Sequence, residues 1–179
     1  MTIESALVVL IPEADDLLES FRRQYTPSAS GSLPAHVTIL YPFKNPDDLS
    51  PRIIKTLHRL FLTQPSFMAS FPEVQCFPDM LYLAPEPAEP FRQLTEMVFK
   101  HFPETPPYGG AFAEIVPHLT IAQASDDQSL DAIAADFMKS AKDFLPIHAR
   151  VNGVTLMVNS GECWGVREEF PLHRTKQSG

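Results

Sequence analysis

Two short segments of this chain have nearly the same pattern and lie about 80 residues apart. Residues 34–43 read PAHVTILYPF, and residues 116–121 read VPHLTI. Polar and aliphatic residues alternate in both segments, and this period of two is typical of a β-strand with one buried face. The pattern predicts His36 and Thr38 on one face of a first strand, and His118 and Thr120 on one face of a second.

The repeat constrains the fold because two matched segments, one in each half of a chain, indicate an internal duplication. The chain has six histidines, and chance would rarely give two His-x-Thr pairs that share their aliphatic context. We therefore expect each half to contain a strand and helix unit, with the two units facing each other.

Hydrophobic periodicity predicts the surrounding elements. Strands are expected at residues 5–12, 66–77, 80–85, 112–123, 147–161 and 163–172. Helices are expected at residues 13–25, 91–102 and about 129–144, and another begins at Pro51 after an N-cap at Ser50. A loop of small residues is expected at 26–32, and Asp126 and Asp127 are expected at a helix entrance. Several strands follow one another directly and no Gly-x-Gly-x-x-Gly turn is present, which favours an α+β fold with antiparallel or mixed sheets.

Length and charge narrow the class of protein. A chain of 179 residues suits one domain covering residues 1–179. The net charge of -8 argues against an extended surface for nucleic acid, which needs many Lys and Arg contacts to phosphate. Neither a signal peptide nor a membrane span is expected, so the predicted location is the cytoplasm, and the predicted state is a monomer. Cys76 and Cys163 form no Cys-x-x-Cys pair, so neither a disulfide framework nor a thiolate metal site is expected.

The two segments HVTI and HLTI resemble the paired motifs of the two-histidine (2H) phosphoesterase superfamily, which includes 2′-5′ RNA ligases and cyclic phosphodiesterases. The order strand, helix, motif strand, helix and second motif strand extends this resemblance over most of the chain. It implies a bilobal fold with two antiparallel or mixed sheets flanked by helices, related by a pseudo-two-fold axis around a central cleft. It also implies hydrolysis of a cyclic phosphodiester, usually a 2′,3′-cyclic phosphate, or reversible cleavage of a 2′-5′ linkage.

The four polar residues suit that chemistry. Histidine titrates near neutral pH, so one neutral and one protonated imidazole can accept a proton from water and donate one to the leaving alkoxide. A threonine hydroxyl can donate to a non-bridging phosphate oxygen. We assign proton transfer to His36 and His118 jointly and phosphate binding to Thr38 and Thr120. No His-x-His or His-Glu-x-x-His pattern occurs, so neither a metal nor another cofactor is expected.

One departure from the family concerns charge. Many members carry a basic residue shortly after the second motif, where this chain has Gln123. Lys44, shortly after the first motif, is the alternative candidate for binding phosphate.

Several aromatic residues are candidates for stacking on a base. Phe43, Tyr108 and Trp164 are predicted to contact substrate in this way. Tyr41 shares the strand parity of Val37 and Ile39, so it is expected in the core instead.

Three functions remain open on sequence grounds. The favoured function is a metal-independent cyclic phosphodiesterase that acts on small nucleotides or on RNA ends carrying a cyclic phosphate. A non-catalytic nucleotide-binding module on the same scaffold is the second. The third is a 2′-5′ RNA ligase that acts on larger RNA.

Overall fold

The computed structural model describes residues 3–25, 33–125, 129–161 and 163–175. The predicted loop at 26–32 and the pair Asp126 and Asp127 lie outside them. The strands are β1 (Glu4–Leu10), β2 (His36–Leu40), β3 (Phe67–Cys76), β4 (Met80–Glu86), β5 (Leu119–Gln123), β6 (Ile147–Val151), β7 (Gly153–Asn159) and β8 (Trp164–Pro171). The helices are α1 (Asp15–Tyr25), α2 (Pro51–Leu62), α3 (Glu89–His101) and α4 (Leu130–Ala141).

The strands form one antiparallel sheet in the order β6-β3-β4-β5-β2-β1-β7-β8. This confirms the α+β fold class, and hydrogen bonds between β2 and β5 join the expected two sheets into a continuous one. Read outward from the centre, each motif strand is followed by the strand that precedes it in the chain, β2 by β1 and β5 by β4. Two further strands complete each side, β7 and β8 beyond β1 and β3 and β6 beyond β4. The two motif strands therefore meet in the middle of the sheet.

The sheet curls strongly, and chain connectivity shows why. β6 is one edge strand and β7 lies next to the other edge, yet Asn152 alone separates Val151 from Gly153. Consecutive Cα atoms are only about 3.8 Å apart, so the two edges must approach each other. The prediction of one strand over 147–161 is therefore wrong, because the chain passes from one end of the sheet to the other at Asn152.

The predicted strand over 112–123 is shorter than expected. β5 begins at Leu119, and residues 112–118 contain no helix or strand. Pro117 provides a physical reason, since proline has no N–H to donate to a neighbouring strand. His118 consequently lies at the entrance of β5, while His36 is the first residue of β2.

The helices interlock the two halves. α1 follows β1 in the chain but packs on β5 and α4, whereas α3 follows β4 but packs on β2 and α2. The core fills the space between these helices and the sheet, with the fully buried rings of Phe61, Phe71, Phe91, Phe137 and Phe170 among its largest side chains. Each such ring stabilises the fold by about 1.5–3 kcal/mol through removal from water.

Local sequence explains where two helices begin. The predicted N-cap Ser50 accepts a hydrogen bond from the Ile53 amide, and Pro51 occupies the first helical position. Ser129 caps α4 in the same way by accepting from the Ala132 amide. Such caps satisfy amides that have no partner within the helix. Among the described residues, no helix is both long and apolar enough to cross a bilayer.

Candidate active site

The side chains of both motifs line a single cavity of about 420 Å³. His36, Thr38, His118 and Thr120 are each half-buried, whereas the alternate residues Val37 and Leu119 are fully buried. The period of two thus holds in both segments, with one face in the core and the other facing the cavity. The volume is that of a small-molecule site.

The register of the central strands arranges these four residues crosswise. Val37 pairs with Leu119 in the antiparallel β2–β5 pair. In antiparallel geometry that pairing sets His36 opposite Thr120 and Thr38 opposite His118. The two histidines are then diagonal neighbours on adjacent strands, and the Cα atoms of such neighbours are about 7–8 Å apart in a regular sheet. The space between them therefore has an imidazole and a hydroxyl on each side.

Each histidine ring is oriented by the backbone in the same way. Nδ1–H of His36 donates to the Pro34 carbonyl at 2.7 Å, and Nδ1–H of His118 donates to the Val116 carbonyl at 2.7 Å. A carbonyl oxygen only accepts, so these bonds place the proton on Nδ1 and leave Nε2 as the nitrogen that exchanges protons. The carbonyl lies two residues before the histidine in both motifs.

Burial dominates the acidity of His36. Desolvation lowers the pKa of His36 to about 4, and the bond to the Pro34 carbonyl opposes this shift. The nearby charges of Arg22 and His118 are smaller contributions to the same lowering of the pKa. His36 is therefore neutral at physiological pH, which is the state a general base needs.

His118 has a different, aromatic environment. Phe77 and Tyr82 approach its ring edge-on, with centroids at 5.3 and 5.7 Å, and Tyr108 stacks on it at 6.3 Å with an interplanar angle of 26°. Desolvation lowers the pKa of His118, and the bond to the Val116 carbonyl raises it.

Tyr108 connects the two motifs. Its ring stacks on His118, while its hydroxyl is hydrogen-bonded to Thr38. The backbone at Tyr108 is left-handed, with φ of 52°, and its amide donates to the Tyr41 carbonyl at 2.6 Å. A bulky residue rarely adopts this conformation, and such conformations concentrate at functional sites. Burial raises the pKa of Tyr108, and the bond to Thr38 lowers it.

The structure separates the other sequence-predicted residues into two groups. Gln123, Tyr108 and Trp164 line the cavity, and the Gln123 amide donates to Asp79 at 3.4 Å. Phe43 and Lys44 do not line it. Phe43 is buried in the core against Phe102, with centroids at 5.4 Å, because the chain turns after β2 ends at Leu40.

Lys44 is unsuited to the proposed phosphate role. Its ammonium forms an ion pair with Glu104 and lies over the Phe102 ring at 5.2 Å. The Lys44 hydrogen bond lowers the pKa of Glu104.

Tyr41 corrects the parity argument. The sequence pattern predicts core packing, but Tyr41 is half-buried and lines the cavity. It lies one residue beyond the end of β2, so strand alternation no longer fixes its direction. Its hydroxyl donates to Oε2 of Glu4 at 2.6 Å.

Arg22 is a cavity residue that the sequence argument missed. Among the described residues that line the cavity, it is the cationic one. Its side chain is buried and donates to the Leu33 carbonyl. Burial lowers the pKa of Arg22, while Asp15 and Glu19 raise it, and a guanidinium stays charged in either case. The sequence pattern that could have indicated it is helical spacing, since Arg22 follows Leu18 by four residues and both lie on the buried face of α1.

Chemistry rather than volume distinguishes this cavity. A larger one of about 550 Å³ lies between α1 and the chain after α4, and neither motif contributes to it. The described residues contain no cluster of three or more His, Cys, Asp or Glu side chains placed to hold a metal ion.

Comparison with known proteins agrees with the fold and with the family resemblance. The family model of the 2′-5′ RNA ligase superfamily matches residues 11–162. Similar solved structures include TT0787 of Thermus thermophilus, with a TM-score of 0.67 and 20% identity over 96% of this chain and 98% of that chain. E. coli LigT complexed with NADP+ gives 0.60 and 16% over 96% and 98%, and LigT complexed with 3′-AMP gives 0.58 and 16% over 95% and 98%. No curated protein sequence matches the chain.

Proposed function

The chain belongs to the 2′-5′ RNA ligase superfamily, and on that basis we propose that it is a phosphodiesterase that opens cyclic phosphodiesters. The substrate class is a 2′,3′-cyclic nucleotide or an RNA end that carries a 2′,3′-cyclic phosphate. The observation that carries the proposal is the pair of histidines with Nδ1 held by backbone carbonyls, lining one cavity together with both threonines. The nucleotides bound to LigT, 3′-AMP and NADP+, agree with a nucleotide ligand.

In the proposed reaction, water attacks phosphorus while Nε2 of the neutral histidine takes the water proton. The bond from phosphorus to one ribose oxygen breaks, and the protonated histidine donates its proton to that oxygen. The product is a phosphomonoester with a free ribose hydroxyl, and the two histidines have exchanged protonation states. The low pKa of His36 favours it as the base. Neither step requires a metal ion.

The threonines and Arg22 stabilise the charge that develops on phosphate. Thr38 and Thr120 lie crosswise from the histidines, so each can donate to a different non-bridging oxygen. Arg22 supplies the positive charge that Gln123 does not bring at the position after the second motif. It acts electrostatically, since its charge already affects His36.

The test is a hydrolysis assay with the four 2′,3′-cyclic nucleotides. We expect turnover by the unmodified protein in the presence of EDTA, and a loss of kcat of about 10²–10⁴ in His36→Ala and in His118→Ala. Circular dichroism checks that both variants fold, and His101→Ala, an exposed histidine on α3, is the matched control. Absence of turnover across neutral and acidic pH, or full activity in either variant, would contradict the proposal.

The pH profile adds a second readout. Both histidine pKa values lie below their usual value near 6.5 in the free protein. Because one imidazole must be neutral and the other protonated, kcat/KM should follow a bell with its maximum below about pH 6.5. A maximum well above pH 7 would contradict the assignment of these two groups.

A further inference from the structure

The cavity is elongated along β1. Glu4, Ala6 and Val8 all line it, as expected for residues at a period of two on one strand face. Val8 pairs with Thr38 of the first motif. Glu4 lies four residues away, which is about 13 Å along a strand. The cavity thus extends from the motif residues to an end formed around Glu4.

A carboxylate and two aromatic rings form that far end. The Tyr41 hydroxyl donates to Oε2 of Glu4 at 2.6 Å, and the Tyr41 ring meets Trp164 edge-on with centroids at 6.3 Å. Trp164 lies level with Glu4, because both pair with Asn159 on β7. Burial and the bond to Glu4 raise the pKa of Tyr41 to about 12, so the phenol remains a donor and keeps the carboxylate in place.

An ionised carboxylate only accepts hydrogen bonds and has about four lone-pair positions, of which the Tyr41 hydroxyl uses one. It therefore suits a ligand that presents adjacent N–H donors. Guanine does so with N1–H and the N2 amino group. Adenine and cytosine place a ring nitrogen acceptor beside their amino group, and uracil places carbonyl oxygens on both sides of its N–H, so each presents an acceptor to the carboxylate.

We propose that Glu4 is a specificity-determining residue, and that its carboxylate accepts hydrogen bonds from N1–H and the N2 amino group of a guanine base packed beside Tyr41 and Trp164. The inference rests on the proposed function, since it deepens the substrate class of the same cavity. The phosphate lies at the motif end and the base at the Glu4 end. The preferred substrate is then guanosine 2′,3′-cyclic phosphate, or RNA whose terminal nucleotide is guanosine.

The first experiment measures kcat/KM for the four 2′,3′-cyclic nucleotides. We expect the guanine substrate to be preferred over adenine by about tenfold or more, the range for a bidentate contact to a base edge. Glu4→Gln replaces one acceptor oxygen with a donor at nearly the same volume and should remove most of that preference. Glu169→Gln, on the exposed face of β8, is the matched control and should leave the ratio unchanged.

The second experiment measures binding without turnover. Trp164 is the single tryptophan of the chain, so its fluorescence reports on the far end of the cavity directly. Titration with 3′-GMP and with 3′-AMP should give tighter binding of 3′-GMP by about tenfold. Tyr41→Phe, which removes the donor to Glu4 and keeps the ring, should reduce that difference partly, and Glu4→Gln should reduce it more.

The two experiments distinguish failure of this inference from failure of the proposed function. Equal kcat/KM for all four bases, or a guanine preference that persists in Glu4→Gln, would overturn the role of Glu4 while hydrolysis stands. Absence of turnover together with guanine-selective binding that depends on Glu4 would overturn the hydrolase and retain the base site. Equal affinities for 3′-GMP and 3′-AMP in the unmodified protein would overturn the inference whatever the turnover.

Discussion

The two motif segments share their backbone geometry and differ in what surrounds them. Both histidines donate Nδ1–H to a carbonyl two residues earlier at 2.7 Å, and both threonines follow at the same spacing. His36, however, is influenced by the charge of Arg22, whereas three aromatic rings surround His118. The backbone thus holds the two imidazoles in the same way, while their neighbours differ in charge and in aromatic character.

The largest difference that mutation should reveal concerns the hydroxyls. Thr38→Val and Thr120→Val each remove one of the proposed donors to phosphate, and we expect each to lower kcat by about 10²-fold with a smaller change in KM. Thr38→Val should have the larger effect, because it also removes the hydrogen-bond partner of Tyr108. Steady-state kinetics measures this.

Thr56→Val on α2 provides a matched control, since its hydroxyl donates to the Arg52 carbonyl outside the cavity. Unchanged kcat in both motif variants would mean that the threonines have a structural role in both halves.

Selective changes in histidine pKa form the next prediction. Arg22→Gln removes a nearby positive charge, so the pKa of His36 should rise while that of His118 moves less. The rise should be partial, because desolvation is the larger cause. Tyr108→Ala should raise the pKa of His118 more than that of His36, because removal of the stacked ring exposes His118 to water. NMR titration of the imidazole resonances measures both values.

Arg22→Lys keeps the charge and serves as the control for the Arg22→Gln variant. If each variant shifted both histidines equally, the two environments would not be independent.

A smaller effect should appear in stability. The folded-state pKa values of the two motif histidines lie below the unfolded value near 6.5, so between about pH 4 and 6.5 the unfolded chain binds more protons. The contribution of the two histidines to the free energy of unfolding should therefore be fully present above about pH 6.5. The free energy of unfolding should decrease as the pH falls through this range. Because water reaches both half-buried rings, we expect a change on the order of 1 kcal/mol.

Urea denaturation at about pH 7 and about pH 5 tests this, with His36→Gln compared against the unmodified protein. His36→Gln should weaken the pH dependence, and His101→Gln should not. An identical pH dependence in His36→Gln would mean that His36 titrates normally in the folded protein.

The smallest effect is expected at Lys44. Lys44→Ala should leave kcat/KM within about twofold, because the ammonium is paired with Glu104 and lies outside the cavity. Loss of this ion pair should change the free energy of unfolding by about 1 kcal/mol or less. The same hydrolysis assay and urea denaturation measure both quantities, and a tenfold loss of activity would mean that Lys44 reaches the substrate after all.

Much of the candidate site was predictable because strand alternation is a local property. The parity of His36, Thr38, His118 and Thr120 follows from neighbouring residues, and the matched spacing predicts that they belong together. Alternation failed at Tyr41, one residue past the end of β2. Phe43 was predicted to stack on a base because it is aromatic, not because of alternation, and the structure places its ring in the core. The single strand expected over 147–161 failed because a one-residue break at Asn152 leaves the hydrophobic pattern almost unchanged.

Sequence by itself determined the duplicated motif, the strand faces, the helix caps and the family resemblance, since these depend on residues close together in the chain. Only the tertiary structure decided which distant groups reach the cavity. Arg22 enters because α1 packs across onto β5, and Glu4 enters because β1 lies beside β2 in the curled sheet. Lys44 is excluded because Glu104, sixty residues away in the chain, pairs with it. Such long-range packing depends on how all the elements fit together, so it cannot be predicted from a local sequence pattern.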